Sequence, residues 1–157
     1  MSDNKAIIEK FYTSFQQLDA EAMNSCYSSD IIFSDPVFMI LKGDEVRAMW
    51  EMLCRNAKNF SLTFSDIELL DEEYATCRWQ AKYTFSKTGR EVTNNVKAFI
   101  RIVDGKIKEH SDAFRLSTWI GQALGWKGLI FGWTGFVKKK VQDSARASLI
   151  KYMHSKS

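Results

Sequence analysis

The sequence predicts an α+β fold: a strongly curved antiparallel sheet that forms a cone around N-terminal helices, with one further helix at the C-terminal end. Three observations predict it. Apolar residues recur at three and four in the first sixty positions, alternate with period two between 60 and 114, and return to helical spacing after 115. Helices, then a meander of long strands, then a helix is an α+β order. The chain reads as a single domain over 1–157, with a core cone over 1–125 and an apolar segment and basic helix over 126–157.

Each element has a local reason. Residues 4–18 form an amphipathic helix through Ile7, Ile8, Phe11, Phe15 and Leu18, capped by Asp3 or Asn4. Asp19 caps a short second helix that carries Met23, Cys26 and Tyr27. Ile31-Ile32-Phe33 is a short strand stopped at Asp35-Pro36, since proline forces its predecessor out of the helical region. Val37–Ile40 resumes an extended run. Gly43-Asp44 opens a third helix whose apolar face is Val46, Met49, Trp50, Leu53, Cys54 and Ala57. Phe60, Leu62 and Phe64 then alternate, and Ile67 and Leu69 continue in the opposite phase, which predicts a β-bulge. Cys77, Trp79, Ala81, Tyr83 and Phe85 share one side of the next strand, and residues 91–103 form another.

Asp104-Gly105 is the strongest hairpin signal in the chain. A two-residue loop sets Val103 against Lys106, Phe99 against His110, Lys97 against Asp112 and Asn95 against Phe114. These residues would share the pocket face, and Val96, Ile100, Ile102, Ile107 and Ala113 the other. Apolar residues on both faces predict that both are covered, the second by the C-terminal segment or a second subunit. Residues 115–125 are helical. The glycine-broken run 126–136 closes one end or packs on a partner, and a last helix carries Val137, Val141, Ala145, Leu149 and Tyr152.

Composition removes several function classes. A content of 45% hydrophobic and 13% aromatic residues excludes a disordered chain. Eleven Phe, five Trp and five Tyr are enough to build a core and line a cavity as well. No apolar run is long enough to span a bilayer, and the polar start lacks the pattern of a signal peptide, so the expectation is a cytoplasmic protein. Cys26, Cys54 and Cys77 are odd in number and lie in apolar contexts, as buried free thiols do. No metal-ligand spacing, phosphate loop or nucleophile elbow is present, so the expectation is no cofactor and no metal. Residues 126–157 hold seven of the 22 Lys/Arg and one of the 19 Asp/Glu, leaving a basic tail of +6 on a body of −3. That tail complements the acidic body. Nucleic acid is not expected as a partner, nor is a membrane surface, although Trp126–Phe136 with the basic tail is the pattern that would suggest one.

Two places carry possible chemistry. Asp35 sits among Phe33, Val37 and Phe38, and apolar surroundings make a carboxylate a stronger base. Asp-Pro is also a common turn pair in which the carboxylate accepts a backbone N–H. His110 and Asp112 are i and i+2 on a strand and face the same way, so a histidine and a carboxylate meet. The alternative is a surface ladder in which Lys97 pairs with Asp112.

The helix Ile7-Ile8-Glu9-Lys10-Phe11-Tyr12, the stretch Phe33-Ser34-Asp35-Pro36-Val37-Phe38, the Gly43 helix and the Asp104-Gly105 hairpin carry a resemblance. With them the chain resembles the nuclear transport factor 2-like (cystatin-like) superfamily, in its SnoaL-like and ketosteroid isomerase-like branch. His110-Ser111-Asp112-Ala113-Phe114, Gln122-Ala123-Leu124-Gly125 and Gly132-Trp133 look like one bacterial branch of it. The resemblance implies a cofactor-independent isomerase, dehydratase or polyketide cyclase-like enzyme acting on an apolar oxygenated molecule. It places Asp35 where ketosteroid isomerases carry their proton-shuttling aspartate. The two oxyanion-donor positions hold Phe11 and Phe99. In this reading Asp35 is the base, His110 the acid or electrophile and Asp112 its orienting partner. Asn95 and Lys97 would bind a substrate oxygen, and Phe11, Phe15, Tyr27, Phe38, Trp50, Phe99, Phe114 and Trp119 would supply the walls. A homodimer is expected. The rival reading is a non-catalytic ligand-binding or dimerisation module of the same fold.

Overall fold

The computed structural model of the chain describes residues 2–125 and 135–156. Three helices come first, α1 (Ser2–Gln16), α2 (Ala20–Ser25) and α3 (Asp44–Asn56), with strands β1 (Tyr27–Asp35) and β2 (Met39–Lys42) between the last two. Strands β3 (Ser61–Leu69), β4 (Tyr74–Phe85), β5 (Arg90–Val103) and β6 (Lys106–Ala113) follow, then α4 (Leu116–Leu124) and α5 (Gly135–Lys156). The six strands form one curled, unclosed sheet in the order β2-β1-β6-β5-β4-β3. Every neighbouring pair is antiparallel except β1 with β6, which run parallel.

The joints follow from their residues. Asp19 Oδ1 accepts the Ala22 N–H at 3.0 Å and starts α2. The α1–α2 turn needs a left-handed residue at Leu18, φ 54°. Asp104 and Gly105 both adopt positive φ, 51° and 76°, as a tight hairpin turn of matching twist demands. The bulge read in β3 is present: the ladder to β4 shifts between Ser65 and Glu68, where Asp66 takes φ 55°.

The main core lies between α1, α3 and the inner face of the sheet. Ile8, Phe11, Tyr12 and Phe15 of α1 and Val46, Met49 and Trp50 of α3 pack on Ile31, Phe33, Val96, Ile100, Ile102 and Ile107. A second cluster caps one end of the sheet, where α4 sets Leu116, Trp119, Ile120 and Ala123 on Val92. Helix α5 lies along α3 through buried Leu149, and joins it by ion pairs of Arg146 with Glu45 and Lys156 with Glu51. The basic helix thus complements acidic residues of the body. The three cysteines are buried and free. The apolar segment 126–134 lies outside the described residues. Among the described residues no helix is long and apolar enough to cross a membrane.

The expected hairpin register holds for two residue pairs only. Val103 faces Lys106 and Ile102 faces Ile107, but Arg101 then faces Glu109, leaving Lys108 as an extra residue. This bulge moves His110 opposite Ile100 and Asp112 opposite Ala98. His110 and Asp112 are therefore buried with the isoleucines, at 2% and 4% exposure. Phe99 faces Ser111 and is 46% exposed on the other side. The expectation that Asn95, Lys97 and Phe99 share the face of His110 is corrected by this one inserted residue. Of the C-terminal segment, α5 packs on α3 rather than on the outer face, which carries Arg78, Gln80, Asn95, Lys97 and Arg101. Two smaller boundaries also move. Residues 36–38 form a turn rather than the start of an extended run, and the first strand begins at Tyr27 rather than Ile31.

The bulge is a matter of residue count, because the Lys108 side chain makes only an exposed pair with Asp30 at 3.3 Å. Deleting Lys108 leaves Glu109 directly after Ile107 in an unbroken ladder, with His110 still opposite Ile100 and Asp112 opposite Ala98, and cooperative unfolding in urea is expected to persist. Lys108→Ala keeps the count and should change stability by less than about 1 kcal/mol.

Candidate functional site

Strands β1 and β6 build the site between them. In their parallel ladder Phe33 stands opposite His110 and Ser34 opposite Ser111. The ladder ends at that pair, and the same register continued by one step would set Asp35 level with Asp112, whose charge Asp35 feels. Partners in a parallel ladder point to the same side, so that register turns both carboxyls to the inner face.

Asp112 lies on a buried chain of hydrogen bonds. The Trp50 indole N–H donates to the Tyr27 hydroxyl at 2.9 Å, and Tyr27 Oη lies 2.7 Å from His110 Nδ1. His110 Nε2 lies 2.9 Å from Asp112 Oδ1, which also accepts the Trp79 indole N–H at 3.3 Å. An indole nitrogen only donates. Tyr27 therefore accepts from Trp50 and has its own proton left for His110 Nδ1. That assigns the His110 proton to Nε2, where it donates to Asp112. The imidazole is enclosed by rings. Phe11 and Phe33 meet it edge-on at 5.5 and 5.2 Å, Trp50 stacks at 6.4 Å, and its side chain is 0% exposed. With both nitrogens engaged, His110 reaches a ligand only through Asp112.

Asp35 is the more open of the two carboxyls, half-buried at the end of β1. Its Oδ1 accepts the N–H groups of Val37 and Phe38 at 2.9 and 2.6 Å. The turn role and the apolar-carboxylate role read from the sequence are thus both present in one side chain. Burial pushes the Asp35 carboxyl up to about 7, the two N–H bonds oppose the rise, and the Asp112 charge adds to it. The turn is further held by Gln142 of α5, which donates to the Pro36 carbonyl at 2.9 Å.

Tyr83, Val37 and Phe114 touch both apolar clusters and so stand between α4 and the rest of the core. Tyr83 accepts the Trp119 indole N–H at 2.6 Å. Burial raises its phenol, and the Asp35 charge raises it further.

The expected site residues divide into three groups. Asp35, His110 and Asp112 come together. Phe11, Phe15, Tyr27, Phe38 and Trp50 are buried around them, with Phe114 and Trp119 toward α4. Asn95, Lys97 and Phe99 are outside. Asn95 accepts from Gln80 at 2.8 Å, Lys97 stands 5.5 Å over the Phe99 ring, and the first two line a polar outer groove of about 390 Å³ with Ser65 and Arg78. Trp79 and Tyr83 belong to the site and were readable only as members of an alternating strand. Their polar tips meet partners more than 30 residues away. Tyr12, next to Phe11 on α1, is fully buried with an unpartnered hydroxyl. Among the described residues no group of three His, Cys, Asp or Glu is set to hold a metal ion.

Asp35→Asn keeps the acceptor for Val37 and Phe38 but removes the charge. The folded-state value of about 7 lies above the ordinary 3.8, so Asp35 favours folding at low pH and loses that contribution as pH rises through 7. Urea unfolding should find Asp35→Asn more stable than the natural chain at pH 8, by about 1–2 kcal/mol, with the difference closing near pH 4.

Comparison with known proteins supplies the context. The family model described as "SnoaL-like domain" matches residues 8–110. No curated protein matches the sequence. Among solved structures, a nuclear transport factor 2-like protein of unknown function from Burkholderia pseudomallei superimposes with a TM-score of 0.68 at 18% identity, over 78% of this chain and 98% of its own. An LEH-like epoxide hydrolase of M. tuberculosis gives 0.66 at 15%, over 82% and 93%. A hypothetical protein with a ketosteroid isomerase-like fold from Catenulispora acidiphila, in complex with trimethylamine, gives 0.65 at 13%, over 74% and 91%. These likenesses establish the fold.

Proposed function

The chain belongs to the SnoaL-like domain family, and from that premise we propose that it is an acid–base enzyme of the isomerase, dehydratase or cyclase type, acting on an apolar oxygenated small molecule with Asp35 as the group that moves the proton. The observation that carries the reading is Asp35 itself. It is a half-buried carboxyl at the end of β1, raised by burial to about 7, and it feels the charge of a second carboxyl. A group poised near neutral pH can both take and return a proton, which is the requirement for a general acid–base.

The surroundings fit that role. Val37, Phe38 and Phe114 bring apolar surface to the Asp35 corner, and Tyr83 brings a hydroxyl held by Trp119. Ionised Asp35 would remove a proton from a carbon or oxygen of the ligand, and the same carboxyl would redeliver it at a second atom. Its Oδ1 keeps the turn while Oδ2, which has no hydrogen-bond partner among the described residues, would exchange the proton. Asp112 and His110 would stay behind it and hold the local charge. That a protein of this fold accommodates a small organic molecule is consistent with the trimethylamine complex of the Catenulispora neighbour.

The natural substrate need not be identified for the test. A panel of apolar enolisable ketones in D2O, followed by NMR, reports protein-dependent exchange of carbon-bound hydrogen. Exchange should rise with pH to a plateau above about 7, and Asp35→Asn should slow it by about 100-fold or more. Exchange that is undiminished in Asp35→Asn would overturn the reading. A panel that binds without exchanging would favour the carrier reading.

A further inference from the structure

The buried chain from Trp50 through Tyr27, His110 and Asp112 to Trp79 has no part in proton transfer to bulk solvent. Both of its ends are indole N–H groups, those of Trp50 and Trp79, and an indole gives up no proton at working pH. Between them Tyr27, His110 and Asp112 have one arrangement that satisfies every donor. Tyr27 takes the Trp50 proton as acceptor, gives its own to Nδ1, and leaves Nε2–H for Asp112. Polar groups this deep in an aromatic core are costly unless all are satisfied. The geometry therefore fixes orientation rather than conducting charge.

We propose that Tyr27 is a positioning residue: its hydroxyl locks His110 in the Nε2–H tautomer, which holds the Asp112 carboxylate in a fixed place on the inner face, where Asp35 feels its charge. The proposal builds on the reading of Asp35 as the proton-moving group. Tyr27 is 5% exposed and engaged on both sides of its hydroxyl, so its effect passes through His110 and Asp112.

The groups facing the pair are few. Asp35 feels Asp112 and His110 from β6, and Tyr83 of β4 feels Asp35. Asp112 is felt by Tyr12 of α1, Tyr27 of β1 and Cys77 of β4. With the Tyr27 hydroxyl gone, Nδ1 loses its donor and the ring is free to move its proton there. Asp112 then loses the Nε2–H donor and is no longer held from that side. The titration of Asp35 should move down, because the Asp112 charge that adds to its rise is no longer held in place.

The test is NMR on the intact chain. Nitrogen shifts of His110 should report Nε2–H and bare Nδ1 in the natural protein. Carbon shifts of the Asp35 carboxyl should give a midpoint that falls by about one unit in Tyr27→Phe, which keeps the ring packed on Phe11 at 5.3 Å. The rising limb of the exchange profile should fall with it. A proton found on Nδ1 in the natural protein overturns the proposal even if Tyr27→Phe fails to fold. So does a folded Tyr27→Phe in which the Asp35 midpoint stands still, even where the melting temperature has dropped, since packing alone moves only the latter. If Asp35→Asn retains exchange while the tautomer and midpoint behave as stated, the functional reading fails and the positioning role stands.

Discussion

Lys108 stands unpaired between Ile107 and Glu109 in the β5–β6 ladder, and the chemistry of the inner face depends on that extra residue. Alternation in a strand is strict, so one inserted residue transfers everything beyond it to the opposite side. Ahead of the bulge Ile107 faces the core. Beyond it His110 and Asp112 do, in place of Glu109 and Ser111. The same shift lets Glu109 meet Arg101 on the outside at 3.2 Å. A straight hairpin would have given an ordinary surface ladder, with the histidine and the aspartate in water and no partner for Asp35.

Placing a histidine and a carboxylate in an aromatic core is unfavourable in itself. The structure offsets this by completeness: Tyr27, Trp50 and Trp79 come from β1, α3 and β4, and each supplies the one hydrogen bond that its neighbour lacks. Three elements are thereby tied to β6 at one point. A network of this kind specifies a single packing, since no alternative pairing satisfies all its members. Asp35 is treated differently. Its turn hydrogen bonds hold the carboxyl in place while its surroundings keep the proton loosely bound, which suits a group that must exchange it.

Much of this was legible in the sequence, and the failures have a common cause. The amphipathic faces of α1 and α3, the Asp19 cap and the Asp104-Gly105 turn are local, and each is found where its residues predict. The bulge in β3 was also legible, because Phe64 and Ile67 are apolar residues in opposite phase and mark both sides of the insertion. The bulge in β6 has no such marker. After Ile107 its inward residues are His110 and Asp112, which read as polar surface, so the pattern contains no second phase to compare. Asn95, Lys97 and Phe99 were placed on the pocket face for that reason alone. The parallel pairing of β1 with β6, whose register continued by one step would set Asp35 level with Asp112, joins residues 77 positions apart and leaves no local trace.

Burial raises the Asp35 carboxyl, and the charge of Asp112 adds to that rise. Titrating the Asp35 carboxyl carbon by NMR, in the natural chain and in Asp112→Asn, tests this most directly. The expected result is a midpoint near 7 in the natural chain and a lower one when the neighbouring charge is removed. A midpoint near the ordinary 3.8 in both would contradict it.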